Sequence, residues 1–157
     1  MRWFIPPVLT VSCLALMVLL HLTLPVATVF PATLRPAGIG LLTLGFLLIA
    51  TTGMQLLRHD TAIHTFGRPR KLLTGGTFAY SRNPIYLGFL LSLLGGWVYL
   101  GSATPVVGPL LFYAVASRWF IPFEEARLGD SFGADYAAYQ ERVGRWIYFI
   151  GRERSAD

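Results

Sequence analysis

Two stretches, Trp3 to Leu24 and Ala37 to Leu57, each run for roughly twenty residues without one Asp, Glu, Lys or Arg. That length matches the roughly 20 residues a helix needs to cross a hydrocarbon core of about 30 Å. In such a core every backbone N–H and C=O must find its partner within the chain, so segments like these fold as helices. Pro84 to Leu100 and Val106 to Ile121 are shorter runs of the same kind. The expected fold is therefore all-α. It is a single polytopic membrane domain over 1–157, with about four transmembrane helices near 3–24, 37–57, 84–100 and 106–121. A cytoplasmic loop, 58–83, and a cytoplasmic, interfacial helical tail, 122–157, complete it.

Composition excludes an ordinary soluble domain, since 54% of the 157 residues are hydrophobic and only 13% charged. A signal peptide competes for the first run, because Arg2 precedes it and small residues follow at Val26-Ala27-Thr28. The run is longer than a usual apolar signal core, so it is expected to be a retained helix. The net charge of +5 does not require a nucleic-acid partner. Of the 13 Lys and Arg residues, one lies at the N-terminus, one in the first turn, five in the loop 58–83, none in the second turn and six from Arg118 onward. The positive-inside rule then puts the N-terminus, the long loop and the tail together on the cytoplasmic side, in what is expected to be a bacterial inner membrane. A lone Cys13 allows neither an intrachain disulfide nor a thiolate metal cluster.

Within this frame the loop ends in Tyr80-Ser81-Arg82-Asn83-Pro84-Ile85-Tyr86-Leu87-Gly88, where a basic segment turns into an apolar helix. Asn is a favoured N-cap and Pro suits the first helical position, which predicts a helix start at Pro84. The N–H groups and positive dipole end of that helix suit a carboxylate or phosphate, although Asn-Pro before a helix is also simply a cap. On the same side of the membrane, Pro122 is expected to kink or end the fourth helix before Glu124-Glu125. Adjacent helical residues point about 100° apart, so these two carboxylates serve separate tasks unless they are only a solvated acidic cap. Arg118, Arg127, Arg142 and Arg145 are the cations available to pair with them. From 132 to 150, apolar and aromatic residues recur at helical spacing, which predicts an amphipathic surface helix or two containing Tyr136 and Tyr139. His64 is a candidate general base. With His59 and Asp60 it forms no recognised metal spacing, so no metal is expected. Signatures of a phosphate-binding loop, a dinucleotide fold and a serine hydrolase elbow are missing.

The run Leu72 to Gly88, followed by Glu124-Glu125-Ala126-Arg127-Leu128, Phe132-Gly133, Tyr136, Tyr139 and Val143, resembles the integral-membrane methyltransferases of the isoprenylcysteine carboxyl methyltransferase and phospholipid methyltransferase superfamily. The resemblance covers roughly the second half of the chain. Its motifs are individually moderate and more specific in this order. It implies an S-adenosylmethionine site on the cytoplasmic ends of the third and fourth helices and the tail. Arg82, Asn83, Pro84 and Tyr86 match the family's Arg-His/Asn-Pro-x-Tyr motif, and Glu124 and Glu125 its paired glutamates. Asn83 stands where many relatives have His. A Gly-x-Gly that phospholipid members place earlier has no clean counterpart here, with Gly53 alone nearby.

The cofactor site implied in this way comprises Tyr80, Arg82, Asn83, Pro84, Tyr86, Leu87, Gly88, Glu124, Glu125 and Tyr136. Candidates for the chemistry are His64, Glu124 and Arg118. The partner is a lipophilic methyl acceptor entering from the membrane lipids: an isoprenylcysteine carboxylate, a lipid amine or a small thiol. Two other classes stay open. A membrane reductase of the sterol-reductase type would bind NADPH, and a non-enzymatic scaffold would bind neither cofactor.

Overall fold

The computed structural model describes residues 5–58 and 71–147, and these are helical with short connections. Helix α1 is Ile5–Thr23, α2 Arg35–Arg58, α3 Pro84–Leu100, α4 Val107–Val115 and α5 Ile121–Arg142. Three helical stretches, Pro6–Thr23, Ala32–Arg58 and Thr104–Arg142, are long and apolar enough to cross a membrane; α3 is a shorter apolar helix of 17 residues. At 1.5 Å per residue, α3 measures about 25 Å. It runs antiparallel to α2 over its whole length.

That pairing rests on glycines seven residues apart on both helices. A methyl group added at Gly38 would lie 2.7 Å from the Tyr99 nitrogen, and one at Gly95 would lie 2.5 Å from the Leu42 nitrogen. Gly45 and Gly88 repeat the contact one level lower: a methyl at Gly45 would sit 2.5 Å from the Gly88 oxygen. Backbones this close gain dispersion and weak hydrogen bonding that lipid cannot supply to a helix alone. Gly40 and Gly53, although similar in sequence context, have open space and take no part.

Helix α1 packs across α3 and α4. Cys13, Met17, Leu93, Phe112, Ala116 and Ile121 form the buried core there. At the end of the bundle away from the polar loop, α3 stops at Gly101, whose φ of 82° carries its N–H back to the Trp97 carbonyl. Ser102 pairs with Thr28 in an isolated bridge, and its hydroxyl lies 2.7 Å from His21 Nδ1.

Pro122 does not end the fourth helix. A π-turn at Ala116–Phe120 precedes it, in which the Ile121 N–H reaches the Ala116 carbonyl. The wider turn accommodates a ring that has no N–H to give, and the helix continues from Thr104 to Arg142. Its break comes instead at Gly133, with φ 49° and ψ −119°. The expected helix through 146 and 147 is also corrected. The chain becomes extended at Val143 and folds back over the start of α3 as a strap. Strap carbonyls answer N–H groups there that helical spacing alone does not reveal.

Candidate active site

The end of α2, the start of α3, the polar part of α5 and the strap meet at one end of the bundle. Gln55, near the end of α2, holds the chain that leads into α3. Its side chain donates to the Gly75 carbonyl at 2.7 Å and accepts from the Thr77 N–H at 3.1 Å and hydroxyl at 3.0 Å. The fully buried Thr52 hydroxyl donates to Thr77 as well. One residue on, the Phe78 carbonyl accepts from the Tyr139 hydroxyl at 2.7 Å. Loop, α2 and α5 are thereby fixed to one another just before Arg82. Phe78 also packs with Leu72, Leu128, Phe132, Tyr136, Tyr139 and Val143 in a second apolar cluster.

Glu125 is the centre of the arrangement. It is 8% exposed, and such a carboxylate is tolerated only when paired. Arg145 Nη2 lies 2.7 Å from Oε2, its Nε donates to Oε1 at 3.4 Å, and Arg82 Nη1 sits 3.2 Å from Oε1. Asn83 Nδ2 makes a long 3.5 Å contact with the same oxygen. Asn83 occupies the N-cap position of α3 but makes no side-chain cap. Its amide instead donates to the Arg145 carbonyl at 3.1 Å, while the Arg82 N–H donates to the Gly144 carbonyl at 3.0 Å. Strap carbonyls therefore already meet donors at the start of α3.

Glu124 points elsewhere. Its Oε1 accepts from the buried Tyr86 hydroxyl at 2.8 Å. The two adjacent glutamates thus face different partners, one a tyrosine and the other two arginines.

Arg82 is the better buried of those arginines, with 12% of its side chain exposed against 41% for Arg145, yet it is the worse paired. By hydrogen-bond geometry its buried Nε and Nη1 and the buried Tyr136 hydroxyl are unsatisfied, although Nη1 makes the 3.2 Å ion pair with Glu125 and Arg82 and Tyr136 interact with each other. Among the described residues, three of the four such atoms belong to Arg82 and Tyr136. Leaving a buried donor unmet costs about 1–3 kcal/mol, so the least well satisfied buried polar atoms of this end of the bundle are gathered at Arg82 and Tyr136. This polar part of α5 lies beyond the apolar segment. Burial pushes the Tyr136 phenol up, with the charge of Glu125 adding, and the charge of Arg82 and hydrogen bonds with Arg82 and Gln140 opposing. Burial likewise raises Tyr139, with Tyr136 adding and Arg82 opposing.

Other residues singled out in the sequence fall in different places. Gly88 faces α2, where a methyl group would lie 2.6 Å from Ile49 Cγ1, so its role is helix packing. Pro84 is buried at the first turn, Leu87 is half-buried, and Tyr80 is 72% exposed on the surface. Arg118 is exposed on the π-turn and belongs to neither ion pair of Glu125. His64 lies outside the described residues, with His59 and Asp60. Among the described residues no three His, Cys, Asp or Glu side chains come together as a metal-holding group. Arg145 was marked only as one of four cations available to pair with the glutamates, and Gln55 had no motif to mark it. The available signals were Gly144, which ends the amphipathic pattern, and the Thr52/Gln55 pair, polar residues three apart on an apolar helix.

The phospholipid methyltransferase family model matches residues 34–135, from the start of α2 to just short of Tyr136. A protein-S-isoprenylcysteine O-methyltransferase of Schizosaccharomyces pombe is 34% identical over 121 residues, covering 74% of this chain and 50% of that protein. Protein-S-isoprenylcysteine O-methyltransferase B of Arabidopsis thaliana is 31% identical over 118 residues, or 72% of this chain and 58% of that protein. Methanethiol S-methyltransferase 1 of Bradyrhizobium diazoefficiens is 35% identical over 97 residues, 57% of this chain and 31% of that one. The chain thus spans about half the length of the first two. No solved structure matches it significantly. The missing Gly-x-Gly does not set it apart: with its apolar helices and the extent of the match, this integral-membrane chain belongs to the phospholipid methyltransferase family.

Proposed function

We propose that the chain is an S-adenosylmethionine-dependent methyltransferase acting on a lipophilic acceptor at the cytoplasmic face of a bacterial inner membrane, with both termini on that face. The observation that carries this reading is the Arg82–Glu125–Arg145 cluster around a buried carboxylate, in which buried Arg82 keeps a single ion-pair contact and lies with the Tyr136 hydroxyl beside the start of α3. These atoms fit the amino-acid end of the cofactor. Arg82 and Tyr136 would take its carboxylate, and Glu124, held by Tyr86, its ammonium.

When bound, S-adenosylmethionine supplies an electrophilic methyl group on a sulfonium, whose positive charge is lost as the methyl is displaced in line. The protein's share of the work is then positioning and exclusion of water. The Phe78, Tyr136, Tyr139 and Val143 cluster and the strap's Trp146, stacked on Tyr113 with centroids 5.1 Å apart, keep water from this end of the bundle. An amine acceptor would need a base, and Glu124 and His64 are the candidates. A carboxylate or thiolate acceptor would need none. Names of relatives, protein-S-isoprenylcysteine O-methyltransferase and methanethiol S-methyltransferase, favour an acceptor of the carboxylate or sulfur type.

The test is calorimetric titration of the detergent-purified chain with S-adenosylmethionine, S-adenosylhomocysteine and NADPH. Saturable binding of the first two, with no heat from NADPH, is expected. Binding of NADPH alone would replace this reading with a reductase, and silence from all three in a folded sample would replace it with a scaffold.

A further inference from the structure

Glu125 carries one negative charge and faces two guanidinium groups, so the cluster holds one positive charge in excess. How that excess is distributed follows from the geometry. Arg145, the more exposed arginine, takes Oε2 at 2.7 Å and reaches Oε1 through Nε at 3.4 Å. Arg82, the more buried one, is left with a single 3.2 Å ion-pair contact through Nη1 and an Nε that meets no acceptor on Glu125. Were Arg82 the only cation there, a forked guanidinium would be expected to turn onto both carboxylate oxygens and close the pair at zero net charge.

We propose that Arg145 is a positioning residue that occupies Glu125 so that Arg82 stays under-paired and able to bind an incoming carboxylate. Arg145 is held in place for this task by its own backbone. Its carbonyl accepts from Asn83 Nδ2 at 3.1 Å and, at 3.4 Å, from the Ser81 hydroxyl, and the preceding Gly144 carbonyl accepts from Arg82. Trp146 stacks on Tyr113 immediately after it. The strap thus delivers a charge and closes a surface at once. The ligand class this selects is an adenosyl compound bearing an amino-acid carboxylate, against one that lacks it.

This inference rests on the cofactor reading above, and a pair of ligands separates the two. S-adenosylhomocysteine carries the carboxylate, whereas 5′-methylthioadenosine keeps the adenosine and sulfur without it. Both are titrated into full-length wild type, Arg145→Gln and Arg145→Lys in detergent. The expected result is a wild-type preference for S-adenosylhomocysteine that falls about tenfold in Arg145→Gln, the loss of one charge-assisted contact, with 5′-methylthioadenosine affinity unchanged. Arg145→Lys, which keeps the charge, retains most of the preference. Equal losses for both ligands would make Arg145 merely a fastening of the strap and overturn the proposal, as would unchanged affinities. If Arg145→Gln does not fold, Arg145→Lys decides, since loss of the preference there overturns the proposal and its retention supports it. A wild type that binds neither compound fails the cofactor reading itself.

Discussion

The Tyr86 hydroxyl donates to Glu124 Oε1 across 2.8 Å, joining the first turn of α3 to the first turn of α5. Tyr86 is 4% exposed, so this bond stands against a nearly dry background. Tyr86→Phe keeps the ring and removes the donor. The expected cost is about 1 kcal/mol in stability, together with a weaker grip on S-adenosylmethionine because Glu124 loses its orientation. Thermal unfolding and calorimetric titration of the same preparation measure the two effects, and wild-type affinity in the variant would take Tyr86 out of the site.

Asn83→Ala and Glu124→Gln are each expected to weaken S-adenosylmethionine binding about three- to tenfold while leaving the protein folded, the scale of one net hydrogen bond. The causes differ. Asn83→Ala releases the strap carbonyl of Arg145, whereas Glu124→Gln removes a charge next to Tyr86. Unchanged dissociation constants in both would detach these residues from cofactor binding.

Gly95→Val is expected to destabilise the α2–α3 pair by on the order of 1–3 kcal/mol, because the new Cβ would meet Leu42 and Gly38 backbone atoms that cannot step aside. Gly40→Ala, with nothing within 4 Å, is the control and is expected to leave the melting temperature unchanged or slightly raised. Unfolding curves in one detergent compare them directly.

Gln55→Leu removes the side chain that accepts from Thr77 and donates to Gly75. The expected loss is about 1–3 kcal/mol, and it is local first, since the segment before Arg82 loses its attachment to α2. Faster tryptic cleavage after Lys71, at unchanged helical content, checks this. Equal cleavage of variant and wild type would show that Thr52 and Tyr139 hold the loop without Gln55.

The apolar helices were legible because a bilayer accepts little else: uncharged runs and prolines at helix starts leave few alternatives. The start of α3 at Pro84 was legible for the same local reason. The use made of Asn83 was not, since whether its amide caps its own helix or serves a strap sixty residues away is decided by tertiary structure. The separate directions of Glu124 and Glu125 follow from helical geometry, but their partners Tyr86, Arg82 and Arg145 do not. Arg145 reaches the site only because the helix ends at Arg142. A pattern continuing at 146 and 147 concealed that ending, because an extended chain can bury Val143 and Trp146 as readily as a helix.

The π-turn between Ala116 and Phe120 acts as a phase shifter between the halves of one long rod. Each residue advances a helix by about 100°, so the extra residue in that turn sets which way everything after it faces without moving what came before. Phe112 can thus be sealed among α1 and α3 while Glu125, further along the same rod, turns to Arg82. Were that turn α-helical with the same residues, everything after it would be rotated by about 100° and both glutamates would swing off their partners while the membrane half stayed as it is. The dimension along which such a site can be retuned is angular, and its unit is a single residue placed in the lipid-facing wall rather than in the site.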